Sequence, residues 1–154
     1  ESKDFVSFDM QRGIDLEPVA FEHFKAKKEL LFLDVEEVGF VPYKDYAGAS
    51  SDGYVSDNSG LEIKCPNRVN YFKLVTEGIN AVKPSYIDQM QMQMLCTGTE
   101  RTYFYAYCEM GGIGYGHEIV IDRDKGRIEF LKERLMFANV VRVKYIEDLK
   151  KNQK

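Results

Sequence analysis

Cysteine and histidine are scarce in this chain, and long hydrophobic runs are missing altogether. The three cysteines, Cys65, Cys96 and Cys108, form no C-x-x-C pair and cannot all be paired within the chain. That argues against a disulfide framework and against a Cys-rich zinc or iron–sulfur site, and for a reducing compartment, read here as the cytoplasm. Two histidines, His23 and His117, are too few for a His-based metal cage. Metal chemistry would therefore fall to carboxylates, which favour Mg²⁺, Mn²⁺ or Ca²⁺. No window approaches the roughly 18 uninterrupted apolar residues of a membrane span, and nothing resembles a signal peptide, so no membrane partner is expected.

What is present suits one soluble domain. At 154 residues and 17.8 kDa there is room for a single hydrophobic core over 1–154. The net charge of −4 would discourage a nucleic-acid partner if it were evenly spread. It is not. Residues 1–122 hold 11 Lys and Arg against 20 Asp and Glu, a balance of −9, whereas residues 123–154 hold 10 against 5, a balance of +5. An acidic cluster can supply metal ligands and a basic tail can lie along phosphates. The plainer alternative is a solvated surface with an amphipathic terminal helix, and charge alone favours it.

Periodicity sets out the elements. Ile14, Glu17, Phe21 and Phe24 fall on one helical face, and Pro18, tolerated only in a first turn, predicts a helix starting near Ile14 and running to Leu30. Residues 31–43, rich in β-branched and aromatic side chains with Gly39 and Pro42, predict a strand with an irregular exit. Residues 50–56 and 60–65 flank Asp57-Asn58-Ser59-Gly60 and read as a hairpin. Short helices are expected over 70–80 and, opened by Pro84, over 84–96. Residues 101–109 alternate, Tyr103, Tyr105 and Tyr107 on one face, Phe104, Ala106 and Cys108 on the other: a strand. A turn at 110–112, a strand over 116–122 and a long helix over 125–151, broken near Asn139, complete the chain. The order predicts an α/β domain with a mixed sheet.

The chemistry concentrates in Ser51-Asp52-Gly53 and in Leu61-Glu62-Ile63-Lys64-Cys65-Pro66. Strand alternation turns Glu62 and Lys64 one way, Leu61, Ile63 and Cys65 the other. The hairpin brings Asp52 beside Glu62 and Lys64. Two carboxylates and an ammonium at one point suit phosphodiester hydrolysis with a hard divalent cation. An exposed strand with an ordinary Glu–Lys pair is the competing reading. Glu17 adds weight, because a carboxylate on an apolar stripe is costly to bury unless paired or metal-bound; the competing reading is a stripe that ends early and leaves Glu17 at the solvent edge, or a pair with Arg12. Gln89 lies with Tyr86 and Gln93 on a different helical face from Ile87, Met90 and Met94, where it could contact a water or phosphate, although an exposed amide is the commoner fate of a helical glutamine.

Four motifs occur in order: Arg12-Gly13-Ile14-Asp15-Leu16-Glu17-Pro18, Ser51-Asp52-Gly53, Leu61-Glu62-Ile63-Lys64-Cys65-Pro66 and Tyr86-Ile87-Asp88-Gln89-Met90-Gln91. Together, over about Met10 to Asp122, they resemble the YqaJ-like viral recombinase family of PD-(D/E)xK nucleases. The resemblance implies a restriction-endonuclease-like α/β core with a mixed central sheet flanked by helices. It also implies Mg²⁺-dependent 5′-to-3′ digestion of one strand of linear double-stranded DNA, leaving 3′ single-stranded tails for phage-type recombination. Mn²⁺ would substitute, and Ca²⁺ would bind without turnover. Asp52, Glu62 and the Ile63 carbonyl match metal ligands, Lys64 the catalytic lysine, Glu17 a helix carboxylate that could join the metal, and Gln89 the active-site glutamine. A homotrimeric ring on double-stranded DNA ends, a single-strand annealing partner and a bacterial host cytoplasm follow by the same resemblance.

Two departures stand out. Ser51 replaces the motif's proline, which touches no chemistry. Only about ten residues precede the first motif, so the family segment that helps bind a 5′-terminal phosphate is expected to be missing here, and no phosphate pocket is assigned. Two other function classes compete: a different PD-(D/E)xK nuclease, endonuclease or repair enzyme, which fold alone does not separate, and a non-catalytic DNA-binding module. Occupancy of every matched position speaks against the latter.

Overall fold

A computed structural model gives the fold, and its described residues run from 7 to 152. The Ser7 hydroxyl accepts the Met10 N–H at 3.2 Å and caps the first helix, α1 (Phe8–Glu29). The expected start near Ile14 is therefore wrong, because Pro18 lies inside the helix. An interior proline removes one hydrogen bond and crowds the carbonyl four residues back, at about 3 kcal/mol. That carbonyl belongs to Ile14, and Ile14 and Pro18 are both exposed, so water can reach it. Burial of Ala20, Phe21 and Phe24 in the following turns carries the helix through.

The predicted strand over 31–43 divides. Leu30 to Leu33 turn, with Phe32 at φ 59°, then β1 (Val35–Glu37) joins the main sheet while β2 (Phe40–Tyr43) leaves it. The partner of β2 is β3 (Ala47–Ser50), an antiparallel ribbon with Phe40 opposite Ser50 that the sequence reading did not contain. The predicted hairpin is β4 (Gly53–Val55) and β5 (Ser59–Lys64). Then come α2 (Arg68–Glu77), a 3₁₀ turn (Gly78–Ala81), α3 (Pro84–Thr97), β6 (Arg101–Met110), β7 (Ile113–Asp122) and α4 (Lys125–Lys151). Gly111 and Gly112, at φ 61° and 77°, make the β6–β7 turn. The helix α4 runs unbroken past Asn139, whose side-chain oxygen accepts from Arg142 at 2.9 and 3.1 Å and so does not compete for the backbone.

The main sheet has the order β1-β4-β5-β6-β7, with β5 and β6 parallel and every other pair antiparallel. It is the expected mixed sheet flanked by helices. A parallel pair needs a long crossover, and α2 and α3 supply it. One face packs Leu61, Ile63, Tyr103, Tyr105 and Tyr107 on α1; the other packs Phe104, Ala106 and Cys108 on α2, α3 and α4. Polar anchors hold α3 in place. Arg127 forks onto Asp88 at 2.6 and 2.7 Å, buried Gln91 bonds the Asp122 carbonyl and the Asp124 N–H, and Arg123 bonds the Met94 and Thr99 carbonyls. The expected lack of a family N-terminal segment concerns chain ahead of Ser7 and lies outside the described residues.

Tyr105 is fully buried, and its hydroxyl meets His23 Nδ1 at 2.7 Å. Its ring crosses β7 where Gly116 has no side chain, and a Cβ there would collide with the phenol. Gly116→Ala should therefore cost ~1–3 kcal/mol through overpacking, seen as a lower urea midpoint at unchanged slope. An unshifted midpoint would show that the ring has room to move.

Candidate active site

The site begins with strand alternation. Along β5, Leu61 and Ile63 enter the α1 side of the sheet, while Glu62 and Lys64 face α3. The register pairs Gly53 with Leu61, which sets Asp52, one residue before β4, across from Glu62. The Asp52 N–H donates to the Leu61 carbonyl at 3.1 Å, and its carboxylate Oδ2 accepts the Ile63 N–H at 2.6 Å. That side-chain bond replaces the next rung of the ladder. It is the reason the strand predicted over 50–56 begins only at Gly53.

Glu62 is 1% exposed, and an ionised carboxylate is expensive to bury without partners. It has three. Oε1 accepts from Lys64 Nζ and from Gln89 Nε2 at 2.8 Å, and Oε2 accepts from Gln93 Nε2 at 2.6 Å. The neighbours respond electrostatically. Burial first, then the Glu62 charge, raises the Asp52 pKa to about 6, against the opposing Ile63 N–H and Lys64. For Lys64, burial pulls the pKa down, but the Glu62 charge and hydrogen bond together with Asp52 outweigh it and hold the pKa above the usual lysine value. Lys64 is thus an ammonium at neutral pH. Cys65, next along the chain, stays a neutral thiol, its pKa pushed up to about 12 by burial and then by Glu17, so it is not a nucleophile.

The predicted residues converge unequally. Asp52, Glu62, Lys64 and Gln89 form one connected cluster, and the Ile63 backbone lies within it. Glu17 stands apart. It sits two helical turns before buried Phe24, in line with it, but is exposed rather than buried. Glu17 and Ile63 line two adjoining clefts of about 440 and 550 Å³, with Lys64 on the first and Asp52 on the second. Gln93 was not singled out as functional by sequence reasoning. It is 2% exposed, its Nε2 reaches both Glu62 Oε2 and the Ser50 carbonyl (2.7 Å), and its Oε1 is buried with no partner. The signal was the spacing of four from Gln89, which stacks both amides on one face of α3.

Among the described residues, no group of three or more His, Cys, Asp or Glu side chains gathers around a common point. The donors that do meet are two carboxylates, and the rise in Asp52 marks negative charge confined in a dry place. A hard divalent cation fits that oxygen-only set. Asp52 and Glu62 would hold it, with the Ile63 carbonyl and water able to complete its shell.

Comparison with known families matches residues 1–100 to the YqaJ-like viral recombinase domain. A solved structure of similar fold is the alkaline exonuclease LHK-Exo from Laribacter hongkongensis, with a TM-score of 0.79, 32% identity, and coverage of 96% of this chain and 75% of that one. The chain belongs to the YqaJ-like viral recombinase family. Another structure of LHK-Exo, in complex with dAMP, gives a TM-score of 0.76 at 28% identity over 98% and 78% of the two chains. A phage-related exonuclease from Haemophilus somnus, 16% identical over 92% and 73%, shares the fold with a TM-score of 0.70. A search of curated proteins returned no match. Family and fold make this YqaJ-like domain an enzyme of the nuclease class, on a PD-(D/E)xK core.

The two glutamines differ in what water can replace. Gln89 is exposed and Gln93 is sealed. Gln93→Leu should therefore destabilise by ~1–3 kcal/mol, leaving a buried carboxylate oxygen and a carbonyl without donors, whereas Gln89→Leu should cost clearly less. Thermal unfolding of both variants checks the order, and equal losses would contradict it.

Proposed function

We propose that this YqaJ-like domain is a Mg²⁺-dependent exonuclease that digests one strand of linear double-stranded DNA from its 5′ end and leaves 3′ single-stranded tails for recombination by strand annealing. The observation that carries the reading is the junction of Asp52, Glu62 and Lys64 at the end of the β4–β5 pair, with Gln89 closing over Glu62. Mn²⁺ would substitute for Mg²⁺, and Ca²⁺ would bind without turnover. When bound, the cation supplies Lewis acidity toward the phosphate and a more acidic water.

The chain's own groups do the rest. Asp52 and Glu62 act as the anionic seat, with the Ile63 carbonyl beside them. Glu62 is kept in one rotamer by Lys64, Gln89 and Gln93, so the seat is set before substrate arrives. Lys64, held as an ammonium at neutral pH by Glu62 and Asp52, is unsuited to take a proton. Its role is to orient the attacking hydroxide and to balance the charge that develops on the phosphate oxygens. Glu17, hanging from α1 over both clefts, lies where a carboxylate can order water on the substrate side, and Gln89 is placed to touch the same water or the phosphate.

The working unit we infer is a homotrimeric ring around its DNA, with a single-strand annealing protein as partner in a bacterial host cytoplasm. Support comes from charge and from α4. A monomer of net charge −4 is a poor binder of phosphates, and a closed head-to-tail ring can turn basic residues inward. The middle of α4 leaves Met136, Phe137 and Val140 exposed, more bare apolar helix than a lone subunit needs.

Three outcomes are expected. Asp52→Ala abolishes Mg²⁺-dependent release from linear duplex without loss of fold by circular dichroism, and closed circular DNA is spared; cutting of circles would favour an endonuclease instead. Lys64→Ala keeps cation binding by calorimetry but loses ~10²–10³-fold in kcat, and Lys64→Arg does not fully restore it, since a planar guanidinium is no substitute for a compact ammonium. Light scattering gives a trimer, and digestion continues when excess unlabelled DNA is added after the start; a monomer that stops at once would refute the ring.

A further inference from the structure

Helix α1 changes character at Pro18. Past it, Ala20, Phe21, Phe24 and Lys28 are all buried, and two polar contacts to the tyrosine face of the sheet fix the helix in phase. His23 Nδ1 meets the Tyr105 hydroxyl on β6 at 2.7 Å. Lys28 Nζ pairs with Glu118 Oε2 on β7 at 2.9 Å and lies 3.5 Å from the Tyr103 ring centroid. A lysine only 4% exposed and held from two strands is a rigid anchor. Before Pro18 the helix lies bare. From Met10 to Val19 no residue is buried, Leu16 packs on the core only in part, and Arg12 Nη2 reaches the Cys65 carbonyl at a long 3.3 Å. Pro18 offers no N–H to the Ile14 carbonyl, and a Cβ at Gly13 would meet no neighbour within 4 Å.

A firmly held rod and a loosely held arm thus meet at a proline, where helices kink. The arm, Phe8–Glu17, is about 15 Å long at 1.5 Å per residue, so a bend of about 20° moves its tip by roughly 5 Å. It forms one side of the cleft of about 440 Å³, which Met10, Arg12, Gly13, Ile14 and Glu17 all line, with Lys64, Lys73 and Lys83 among the rest of the lining. Met10 and Ile14 are apolar, yet 57% and 58% exposed. Closing the cleft would take that surface out of water. We propose that α1 before Pro18 is a lid, which flexes at the proline to admit the substrate strand and closes Met10 and Ile14 over it. Glu17, beside the hinge, moves least, so opening leaves the carboxylate side of the site in place. The inference rests on the nuclease reading above for what the lid closes on, but the hinge does not depend on it.

The test is methyl relaxation-dispersion NMR on the full chain without divalent cation, reading Met10 and Ile14 on the arm, with buried Met90 and Met94 as fixed references. Hinge motions fall on the μs–ms timescale that this experiment detects. Met10 and Ile14 should show exchange and Met90 and Met94 none, and linear duplex should quench it by holding the lid shut. Pro18→Ala restores the missing hydrogen bond. It should raise the urea midpoint, abolish exchange at both methyl groups, and slow association and release of labelled duplex together in stopped flow, because a stiff lid obstructs both directions. Pro18→Gly, conformationally free again, should bring the exchange back. Met10→Ser with Ile14→Ser leaves the hinge intact and should speed release of duplex at an unchanged urea midpoint, since both side chains are exposed. Silent Met10 and Ile14 in the wild type overturn the proposal. Exchange at Met10 that survives Pro18→Ala is fraying of the helix end and overturns it too. Failure of the nuclease reading looks different: exchange that Pro18→Ala removes but duplex does not quench, with no cation-dependent cleavage.

Discussion

The structure turns on a single buried carboxylate. Glu62 is almost wholly enclosed, and the effective penalty for taking such an ion out of water is several kcal/mol. Lys64, Gln89 and Gln93 answer it with three hydrogen bonds. Removing the sealed one, Gln93, leaves charge in a dry place, where it costs most. Sheet, crossover helix and ribbon must therefore all be in register before Glu62 is tolerable. Gln93 makes the dependence explicit, since one amide nitrogen joins α3 to β5 through Glu62 and to β3 through the Ser50 carbonyl.

That requirement explains why α3 is anchored by polar groups as well as by Met90 and Met94. Apolar packing alone lets a helix slide by fractions of a turn, because burial has no direction. Gln91, Arg123 and the bidentate Arg127–Asp88 pair do have direction. They tie α3 to the end of β7 and the start of α4, and so fix where its glutamines stand. The alternation Gln89-Met90-Gln91-Met92-Gln93 serves both ends: residues 89 and 93 meet the site, while 91 meets the anchor.

The same geometry leaves the chemistry open to substrate. Asp52 escapes the ladder, Glu17 overhangs from α1, and the clefts they line meet at Ile63. Negative charge is concentrated at the seat and positive charge along Lys64, Lys83 and Lys73.

Much of this was legible in the residues. Alternation in 101–109, the turn at Asp57 to Gly60 and the spacing of Asp52, Glu62 and Lys64 each have a local cause, because strand periodicity and turn chemistry act within a few residues. They sufficed for the mixed α/β sheet and for the cluster of Asp52, Glu62 and Lys64. What tertiary structure alone decided has non-local causes. Pro18 lies inside α1 because burial two turns later outweighs one lost hydrogen bond. The strand over 31–43 splits because β2 found β3, a partner no periodicity announces. Glu17 is on the expected face yet exposed, since helical phase does not say where the sheet ends. Gln93 matters only because Glu62 is sealed beneath it, and how deeply a carboxylate is buried is decided by what folds over it, not by its neighbours in sequence.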